Sequence, residues 1–425
     1  MTDIQFSPQQ DAALKLIGEW YKSGTRDPFV LNGYAGTGKT TIAKFLPEMI
    51  GAQEKSEVIY TAYTGKAALQ LRRKGCEKAT TLHKLLYKPL EKDRTRVKEL
   101  AEALHAALVN DPLAEALETR TIKHQLLNER RKVAAPSWST NPDWDRIEAA
   151  KMIVVDESSM VDEKIAKDLK ELGLPIIYCG DPFQLPPVRG KSPVSELPVS
   201  ITLTEVHRQA LENPILRAAT HLRNGMKEHV FTSLPQEGDM LYKVLTTRQA
   251  GYDDYASDDQ VLCGRNKTRQ GLNSKMQAKK LAAGQLSAST EQGICEGERV
   301  VFLRNDYDED VFNGTIGVVD SVLPGEKDSD HVIISGSVED DTFEAYETWA
   351  GVLRGQEISE APRFMQVIDL AYALTVHKAQ GSEWDSVLVH FEPLGRAGEW
   401  ERWFYTALTR ARTRCTVVIP NDMGG

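Results

Sequence analysis

The stretch that most constrains this chain is LNGYAGTGKTTIAKFL, which runs from Leu31 to Leu46. Within it, Gly33 to Thr40 match the spacing G-x-x-x-x-G-K-[ST] at every fixed position. The preceding run Phe29-Val-Leu is typical of a buried parallel strand, and the residues from Thr40 predict a helix that ends or bends near Pro47. A strand, a glycine loop and a helix N-terminus in this order predict a phosphate-binding loop.

The chemistry of such a loop assigns roles to its residues. Glycines let successive backbone N–H groups turn toward phosphate oxygens, and the helix N-terminus adds partial positive charge at the same place. We expect Lys39 to reach the β- and γ-phosphates of ATP and the Thr40 hydroxyl to bind Mg²⁺. The predicted nucleotide-binding residues are Gly33, Ala35, Gly36, Thr37, Gly38, Lys39, Thr40 and Thr41.

Length and composition bound the remaining possibilities. The 425 residues allow two or three domains, and an apolar content of 41% lets each bury a core. The net charge of −9 argues against non-specific wrapping of nucleic acid but not against a local basic groove. No apolar run approaches the roughly 20 residues that span a bilayer, and the start MTDIQ lacks a signal-peptide pattern. The 5 cysteines form no C-x-x-C pair, so we expect no zinc or disulfide framework and a reducing, intracellular setting.

Alternating strand and helix patterns organise the chain into two α/β units. We predict a first domain over residues 1–200 and a second over residues 201–425. Charged residues with helical spacing mark an insertion at about 88–146 in the first domain. Short β-rich segments at about 295–362 predict a small barrel inserted in the second, with Asn313-Gly314 as a turn.

Two polar tips follow buried strands after the loop. Asp156 and Glu157 end the apolar run MIVV, where an aspartate can hold Mg²⁺ and a glutamate can accept a proton from attacking water. Gln184, in GDPFQ, follows the next strand and could sense a γ-phosphate. Hydrolysis also needs positive charge near the phosphates, and Arg208 and Arg410 of the second α/β unit are the candidates.

The order of these blocks resembles superfamily 1 helicases, most closely the RecD-like group that includes the phage Dda type. The resemblance covers nearly the whole chain and rests on Gln10 with its S-x-x-Q capping box and on GYAGTGKT, TAYTGKAA, TTLHKLL, VVDESSM, GDPFQLPPV, LTEVHRQ, VHKAQGSEW and YTALTRA. It implies an α/β fold with two RecA-like P-loop motor domains with parallel sheets, a helical insertion in the first and a small Src-homology-3-like β-barrel in the second.

The resemblance also implies roles for individual residues. Gln10 would contact adenine, Gly381 and Glu383 would lie near the γ-phosphate and ribose, and Arg208 and Arg410 would act as arginine fingers. Lys39, Glu157 and Gln184 complete the expected catalytic set, and Thr40 and Asp156 the expected metal site. Single-stranded DNA would contact Thr64, Lys66, Thr81, His83, Asn313, Thr375 and His377.

The resulting hypothesis is an ATP-dependent DNA helicase that moves 5′→3′ on single strands and opens forks; the polarity comes from the resemblance alone. Trp138 could stack at the fork, or it could anchor a loop as a buried residue. The expected setting is the cytoplasm of a bacterial or phage-infected cell. We expect a monomer, with single-strand-binding or replication proteins as partners. The alternatives are an ATP-gated nucleic-acid-binding switch that does not translocate, and a small-molecule kinase or other P-loop enzyme.

Overall fold

A computed structural model describes residues 6–89, 99–100, 103, 121–122, 125–126, 138–140, 142–186, 192–205, 212–257, 259–287, 290–306, 311, 313–324, 330–338, 341–362, 365–395 and 398–423. The described part divides into two compact units. The first unit comprises Met1–Tyr87, Asn141–Gln270 and Ala373–Gly425, and the second comprises Lys88–Thr140 and Gly271–Tyr372.

The described α-helices are α1 (Pro8–Ser23), α2 (Lys39–Met49), α3 (Gly65–Arg73), α4 (Leu82–Leu86), α5 (Trp144–Glu148), α6 (Glu163–Glu171), α7 (Pro214–Arg223), α8 (Tyr252–Ser257), α9 (Asn266–Ala282) and α10 (Glu399–Leu408). The described strands are β1 (Phe29–Gly33), β2 (Val58–Ala62), β3 (Thr80–Thr81), β4 (Tyr87–Pro89), β5 (Trp138–Thr140), β6 (Met152–Asp156), β7 (Ile176–Gly180), β8 (Ile201–Leu203), β9 (Leu234–Glu237), β10 (Met240–Thr246), β11 (Gln260–Cys263), β12 (Arg299–Phe302), β13 (Ile316–Pro324), β14 (His331–Val338), β15 (Asp341–Trp349), β16 (Gln366–Leu370), β17 (Ala373–Thr375), β18 (Trp384–His390) and β19 (Ala411–Ile419).

The first unit contains a parallel sheet of order β3-β2-β6-β7-β1-β8. Alternate residues of its strands enter two separate cores. Met152 and Val154 of β6 join one core with side chains of α1, α2 and α3, whereas Ile153 and Val155 join the other with side chains of α4 and α6. Helices on both faces explain why these strands are apolar throughout.

The sheet order brings the predicted polar tips together. Strands β6, β7 and β1 are neighbours, and all three are parallel, so their carboxyl ends lie at one edge of the sheet. The first sheet extends through Leu203, because β8 pairs with β1. β8 is a short, partly exposed edge strand without the apolar run of its neighbours. The division of the α/β part into two domains near residue 200 stays a prediction, because both sheets belong to one compact unit.

A second sheet of order β17-β11-β18-β19-β10-β9 also lies in the first unit. Its strands are parallel except for the pairing of β9 with β10. Helix α10 packs Trp403 and Phe404 around Phe391, which follows β18. This packing buries Tyr405 and Thr406 as well, so the helix is nearly enclosed although it carries polar side chains.

The second unit contains a closed five-stranded barrel, β12-β13-β14-β15-β16. Its core includes Val300, Phe302, Ile334 and Phe343. The closing strand β16 pairs with β12 and lies beyond residue 362, where the barrel is predicted to end. Every residue of β16 is buried, so the strand lacks the alternation that marks a barrel strand in a sequence.

Part of the predicted insertion belongs to the same unit as the barrel. Its described residues 99–100, 103, 121–122 and 125–126 are helical. Leu100 and Leu126 pack with Ile333 and Ala345 of the barrel strands. Strands β4 and β5 form a two-stranded ribbon around this stretch. The α/β class with a small closed barrel is thus confirmed.

All five cysteines are buried as free thiols. Within the described residues, no helix combines the length and the apolar character that crossing a bilayer requires.

Candidate functional site

The glycine loop lies between β1 and α2, as its sequence predicts. Gly36 and Gly38 adopt positive φ angles of 77° and 80°, which other residues rarely adopt. At Gly33, an added Cβ would lie 2.7 Å from Thr37 Oγ1 and 2.9 Å from Lys39 Cγ. The side chains of Thr37 and Lys39 therefore lie close against the backbone of Gly33, and the loop has the glycine conformations that a phosphate cradle uses.

The ammonium group of Lys39 turns into this loop. Its Nζ donates to the carbonyl oxygens of Gly33 at 2.5 Å and Tyr34 at 3.2 Å. The Thr37 hydroxyl donates to the Tyr34 carbonyl at 2.8 Å and fixes the turn. The cation is thus held at the mouth of the loop, beside the N-terminus of α2, where phosphate oxygens would be attracted.

Two acidic residues lie at the tip of β6. Glu157 has a φ of 51°, a left-handed conformation that is strained for a side chain of this size, and its N–H donates to Asp156 Oδ1 at 3.0 Å. Burial raises the pKa of Glu157, and the positive charges of Arg410 and Lys39 oppose that rise. The negative charges of Asp156 and Asp181 reinforce it. A glutamate in such a field is suited to accept a proton.

Arg410, which precedes β19 of the second sheet, brings positive charge to bear on this acidic tip. It follows α10, is 4% exposed and donates from Nε to the Thr406 carbonyl at 3.1 Å and from Nη1 to the Ser382 carbonyl at 3.2 Å. These bonds hold the guanidinium in one orientation, and its charge acts on Glu157. Arg208 lies outside the described residues, so its expected role as a finger stays a prediction.

The GDPFQ segment is held by side chains of the second sheet. The N–H of Leu185 donates to Thr406 Oγ1 at 2.9 Å, and its carbonyl accepts from Gln380 Nε2 at 2.8 Å. Tyr405 contacts Asp181 of the same segment. Gln184 therefore lies between residues that are fixed from the opposite sheet. Sequence reasoning missed Gln380 and Tyr405, although both lie inside recognised blocks.

Gln10 forms the predicted capping box. Its Oε1 accepts from the Ser7 N–H at 3.0 Å, and its Nε2 donates to the Thr37 carbonyl at 3.2 Å. The amide thus supports the glycine loop directly. Contact with adenine remains a prediction for this residue.

Gly381 and Glu383 lie against α3 of the first sheet. A Cβ on Gly381 would come within 2.7 Å of Thr64 Oγ1, so only glycine fits at this distance. Glu383 pairs with Lys74 at 3.4 Å. The two residues therefore join the sheets at this point, and their expected contact with nucleotide stays a prediction.

The predicted DNA-contacting threonines have structural roles in the described contacts. Thr64 and Thr81 cap α3 and α4 by accepting from the N–H groups of Ala67 at 3.2 Å and Lys84 at 3.1 Å. Thr375 ends β17 and is 7% exposed. All three threonines lie at the carboxyl ends of strands or just after them. Contact between this part of the backbone and DNA phosphates stays a prediction.

The other predicted DNA residues differ in their surroundings. Lys66 Nζ lies 5.5 Å from the ring centroid of Trp384. Burial lowers the pKa of both His83 and His377, so at neutral pH their imidazoles are uncharged. Asn313 lies in the turn before β13 and donates its N–H to Asn305 Oδ1 at 2.7 Å. Trp138 begins β5, and its side chain lies outside the described part.

The oxygen donors beside the glycine loop are of the kind that bind Mg²⁺. Among the described residues, no group of three or more His, Cys, Asp or Glu side chains forms a ready metal site. Asp156 and the Thr40 hydroxyl are oxygen donors of the kind that Mg²⁺ takes together with nucleotide phosphates and water. The residues therefore fit a magnesium ion that is held jointly with a phosphate ligand.

Comparisons with known proteins agree with this arrangement. The family described as AAA domain matches residues 5–241, and the UvrD-like helicase C-terminal domain matches residues 370–418. The ATP-dependent RecD2 DNA helicase of Deinococcus radiodurans is 31% identical over 91% of this chain and 46% of its own length. The ATP-dependent DNA helicase PIF1 of Xenopus laevis is 25% identical over 96% of this chain and 60% of its own length.

The chain thus spans less than two thirds of the length of these two curated relatives. Among solved structures, the Pif1 helicase from Candida albicans matches with a TM-score of 0.50 and 19% identity, over 99% of this chain and 96% of that one. This last likeness concerns the fold alone.

Proposed function

We propose that this chain, which belongs to the AAA-domain family and to the RecD-like and Dda-like group of superfamily 1 helicases, is an ATP-dependent DNA helicase. It hydrolyses ATP, moves 5′→3′ on single-stranded DNA and unwinds forked duplex. The relatives named above are ATP-dependent DNA helicases. The observation that carries the proposal is a set of hydrogen bonds by which Tyr405, Thr406 and Gln380, from the side of the second sheet, hold the glycine loop and the GDPFQ segment of the first. The charge of Arg410 acts on Glu157 at the same place.

The first sheet supplies the groups that bind and hydrolyse. Lys39 and the loop N–H groups hold the β- and γ-phosphates, and Glu157 takes the proton of the attacking water. Gln184 orients that water or senses the γ-phosphate. Thr40 and Asp156 hold Mg²⁺, which neutralises phosphate charge when it is bound.

The second sheet supplies charge that depends on closure. Arg410 stabilises negative charge on the γ-phosphate oxygens, and Arg208 is proposed as a second finger. Because Arg410 belongs to a different sheet from Lys39, the affinity of one sheet for the other depends on the nucleotide state. Alternating grip on DNA by the two sheets then produces net movement.

The proposed DNA path crosses the carboxyl edges of both sheets. Thr64, Lys66, Thr81 and His83 would contribute from the first sheet, and Thr375 and His377 from the second. Uncharged imidazoles donate to phosphates or stack on bases without reading sequence. Asn313 is proposed to add a contact from the barrel. We further propose an intracellular monomer that works beside single-strand-binding or replication proteins.

A forked-duplex assay tests the activity and its direction. Substrates with a single 5′ tail, a single 3′ tail or both are incubated with ATP, with Lys39→Ala as the control for a lost phosphate contact. Unwinding should need the 5′ tail and should vanish in Lys39→Ala. Unwinding from the 3′ tail alone would reject the direction.

Streptavidin displacement separates a motor from a switch. A translocating enzyme removes streptavidin from a biotinylated single strand at the end it moves toward. A DNA-binding switch hydrolyses ATP and leaves the streptavidin in place. A small-molecule kinase would show ATP turnover that DNA does not stimulate.

A further inference from the structure

The hydroxyl of Tyr405 lies between the glycine loop and the GDPFQ segment. It accepts from the N–H of Ala35 at 2.9 Å and donates to Asp181 Oδ2 at 2.8 Å. The three groups form a chain of hydrogen bonds with one direction, from loop amide to phenol to carboxylate. Such chains polarise their members, so each bond strengthens the next.

The position of this hydroxyl is fixed by its surroundings. Tyr405 is 2% exposed, and its ring packs edge-on against Phe183 at 5.1 Å between centroids. Burial raises the pKa of the phenol well above its ordinary value, so the group keeps its proton. It can therefore donate to Asp181 at neutral pH.

Asp181 in turn fixes the backbone of Gln184. Its Oδ1 accepts from the N–H of Phe183 at 3.0 Å, and its carbonyl accepts from the N–H of Gln184 at 3.2 Å. These bonds close the turn that presents Gln184. A shift of the Asp181 carboxylate would therefore shift the backbone of Gln184.

The same segment of the second sheet carries Arg410. The N–H of Thr409 donates to the Tyr405 carbonyl at 3.0 Å, and Arg410 Nε donates to the Thr406 carbonyl at 3.1 Å. Tyr405 and Arg410 are thus joined by one helical turn. Tyr405 contacts the glycine loop of the first sheet, and the charge of Arg410 acts on Glu157 at the acidic tip of β6.

We propose that Tyr405 is a positioning residue for ATP hydrolysis, because its hydroxyl holds the glycine loop and the Gln184 turn in register with the Arg410 segment. The inference rests on the proposed function. Tyr405 touches no reacting atom and acts through Ala35, Asp181 and Gln184. Its loss should therefore lower the rate of hydrolysis while nucleotide affinity is kept.

The test compares Tyr405→Phe with Tyr242→Phe in the full chain. Tyr242 is also fully buried, and its hydroxyl donates to the Val230 carbonyl at 2.5 Å, away from the loop. Both variants lose one buried hydroxyl, so both should melt at slightly lower temperatures than the wild type. Only Tyr405→Phe should lower the DNA-stimulated kcat, by about tenfold, with KM for ATP within about twofold.

Hydrogen exchange gives a second readout that needs no turnover. Without nucleotide, amide exchange in the peptide that contains Ala35 should be about tenfold faster in Tyr405→Phe than in Tyr242→Phe, the equivalent of one lost bond. Asp181→Ala breaks the chain of bonds at its other end and should give the same split between kcat and KM.

The results distinguish failure of the positioning role of Tyr405 from failure of the proposed function. A kcat in Tyr405→Phe equal to that of Tyr242→Phe, or unchanged exchange at Ala35, would overturn the positioning role while the proposed function stands. Absence of DNA-stimulated ATP hydrolysis in the wild type would overturn the proposed function itself.

Discussion

Two glutamates, Glu157 partly buried and Glu298 fully buried, show how differently the two units use the same side chain. Burial raises the pKa of both Glu157 and Glu298. Around Glu157 the opposing influences are the charges of Arg410 and Lys39, whereas Glu298 accepts hydrogen bonds from the Tyr372 hydroxyl and from Gln277 Nε2. Both kinds of neighbour favour the ionised carboxylate, so the two sites differ in the groups around the glutamate and not in the direction in which its pKa is shifted. Burial alone therefore does not identify an active site.

The largest effect should come from replacing the two glutamates by glutamine. Glu157→Gln removes the proposed base, and we expect ATP hydrolysis to fall by about 10²–10⁴-fold. Glu298→Gln sets an amide N–H₂ against Tyr372 or Gln277 and should lower the free energy of unfolding by about 1–3 kcal/mol. Its ATP turnover should stay near that of the wild type. Steady-state ATPase rates and thermal melts of both variants check this pair.

Equal losses of turnover in Glu157→Gln and Glu298→Gln would remove the distinction between the two sites. The comparison is fair because each substitution keeps the size of the side chain and removes one acceptor oxygen.

Two arginines, Arg410 buried and Arg304 partly buried, should show the same contrast with a smaller catalytic effect. Arg410→Lys keeps the charge but loses the planar fork that bonds Thr406 and Ser382, and we expect hydrolysis to fall by roughly 10²–10³-fold. Arg304 of the second unit donates to the carbonyls of Ile358, Ala361, Pro362 and Met365.

For Arg304→Lys we expect a loss of about 1–3 kcal/mol in the free energy of unfolding, since several of these carbonyls lose their donor. ATP turnover at a temperature well below the melt should be retained. A stable Arg304→Lys protein without ATPase activity would contradict the assignment of catalysis to the first unit.

In a pH profile of ATP hydrolysis, kcat should fall by about tenfold for each pH unit on the acid side. The base form of Glu157 is lost as pH falls through its pKa, and because that pKa is raised above 4.5, the loss of kcat should begin at higher pH than for an ordinary glutamate. The residual activity of Glu157→Gln should lack this acid limb. An identical limb in both proteins would assign the titration to another group.

Much of this site could be predicted because it depends on local patterns. The glycine spacing, the strand before it and the acidic tip of β6 are continuous in the sequence, and parallel strands bring such tips to one edge. Tyr405 was not predicted because WERWFYTALTR indicates a buried helix without indicating what its hydroxyl meets. Likewise, no local pattern indicates that Arg304 binds four carbonyls of a segment more than 50 residues away.

The barrel illustrates the same limit for the fold. Strand β16 is buried on both faces, so its residues resemble those of a parallel strand of the second sheet. Its place in the barrel is fixed by pairing with β12 at Val300–Leu370 and Phe302–Ile368, which the sequence does not reveal.

The smallest effect should come from a third glutamate, Glu383, which is partly exposed. Its carboxylate pairs with Lys74 at 3.4 Å, and exposed pairs of this kind contribute about 0–1 kcal/mol. We expect Lys74→Ala and Glu383→Gln each to change KM for ATP by less than about twofold relative to the wild type. This change in KM should become smaller still at high salt. A rise in KM that appears in Glu383→Gln but not in Lys74→Ala would instead mean that Glu383 contacts the nucleotide, as the family resemblance implies. The pair of variants thus separates a contact between the two sheets from a contact with ATP.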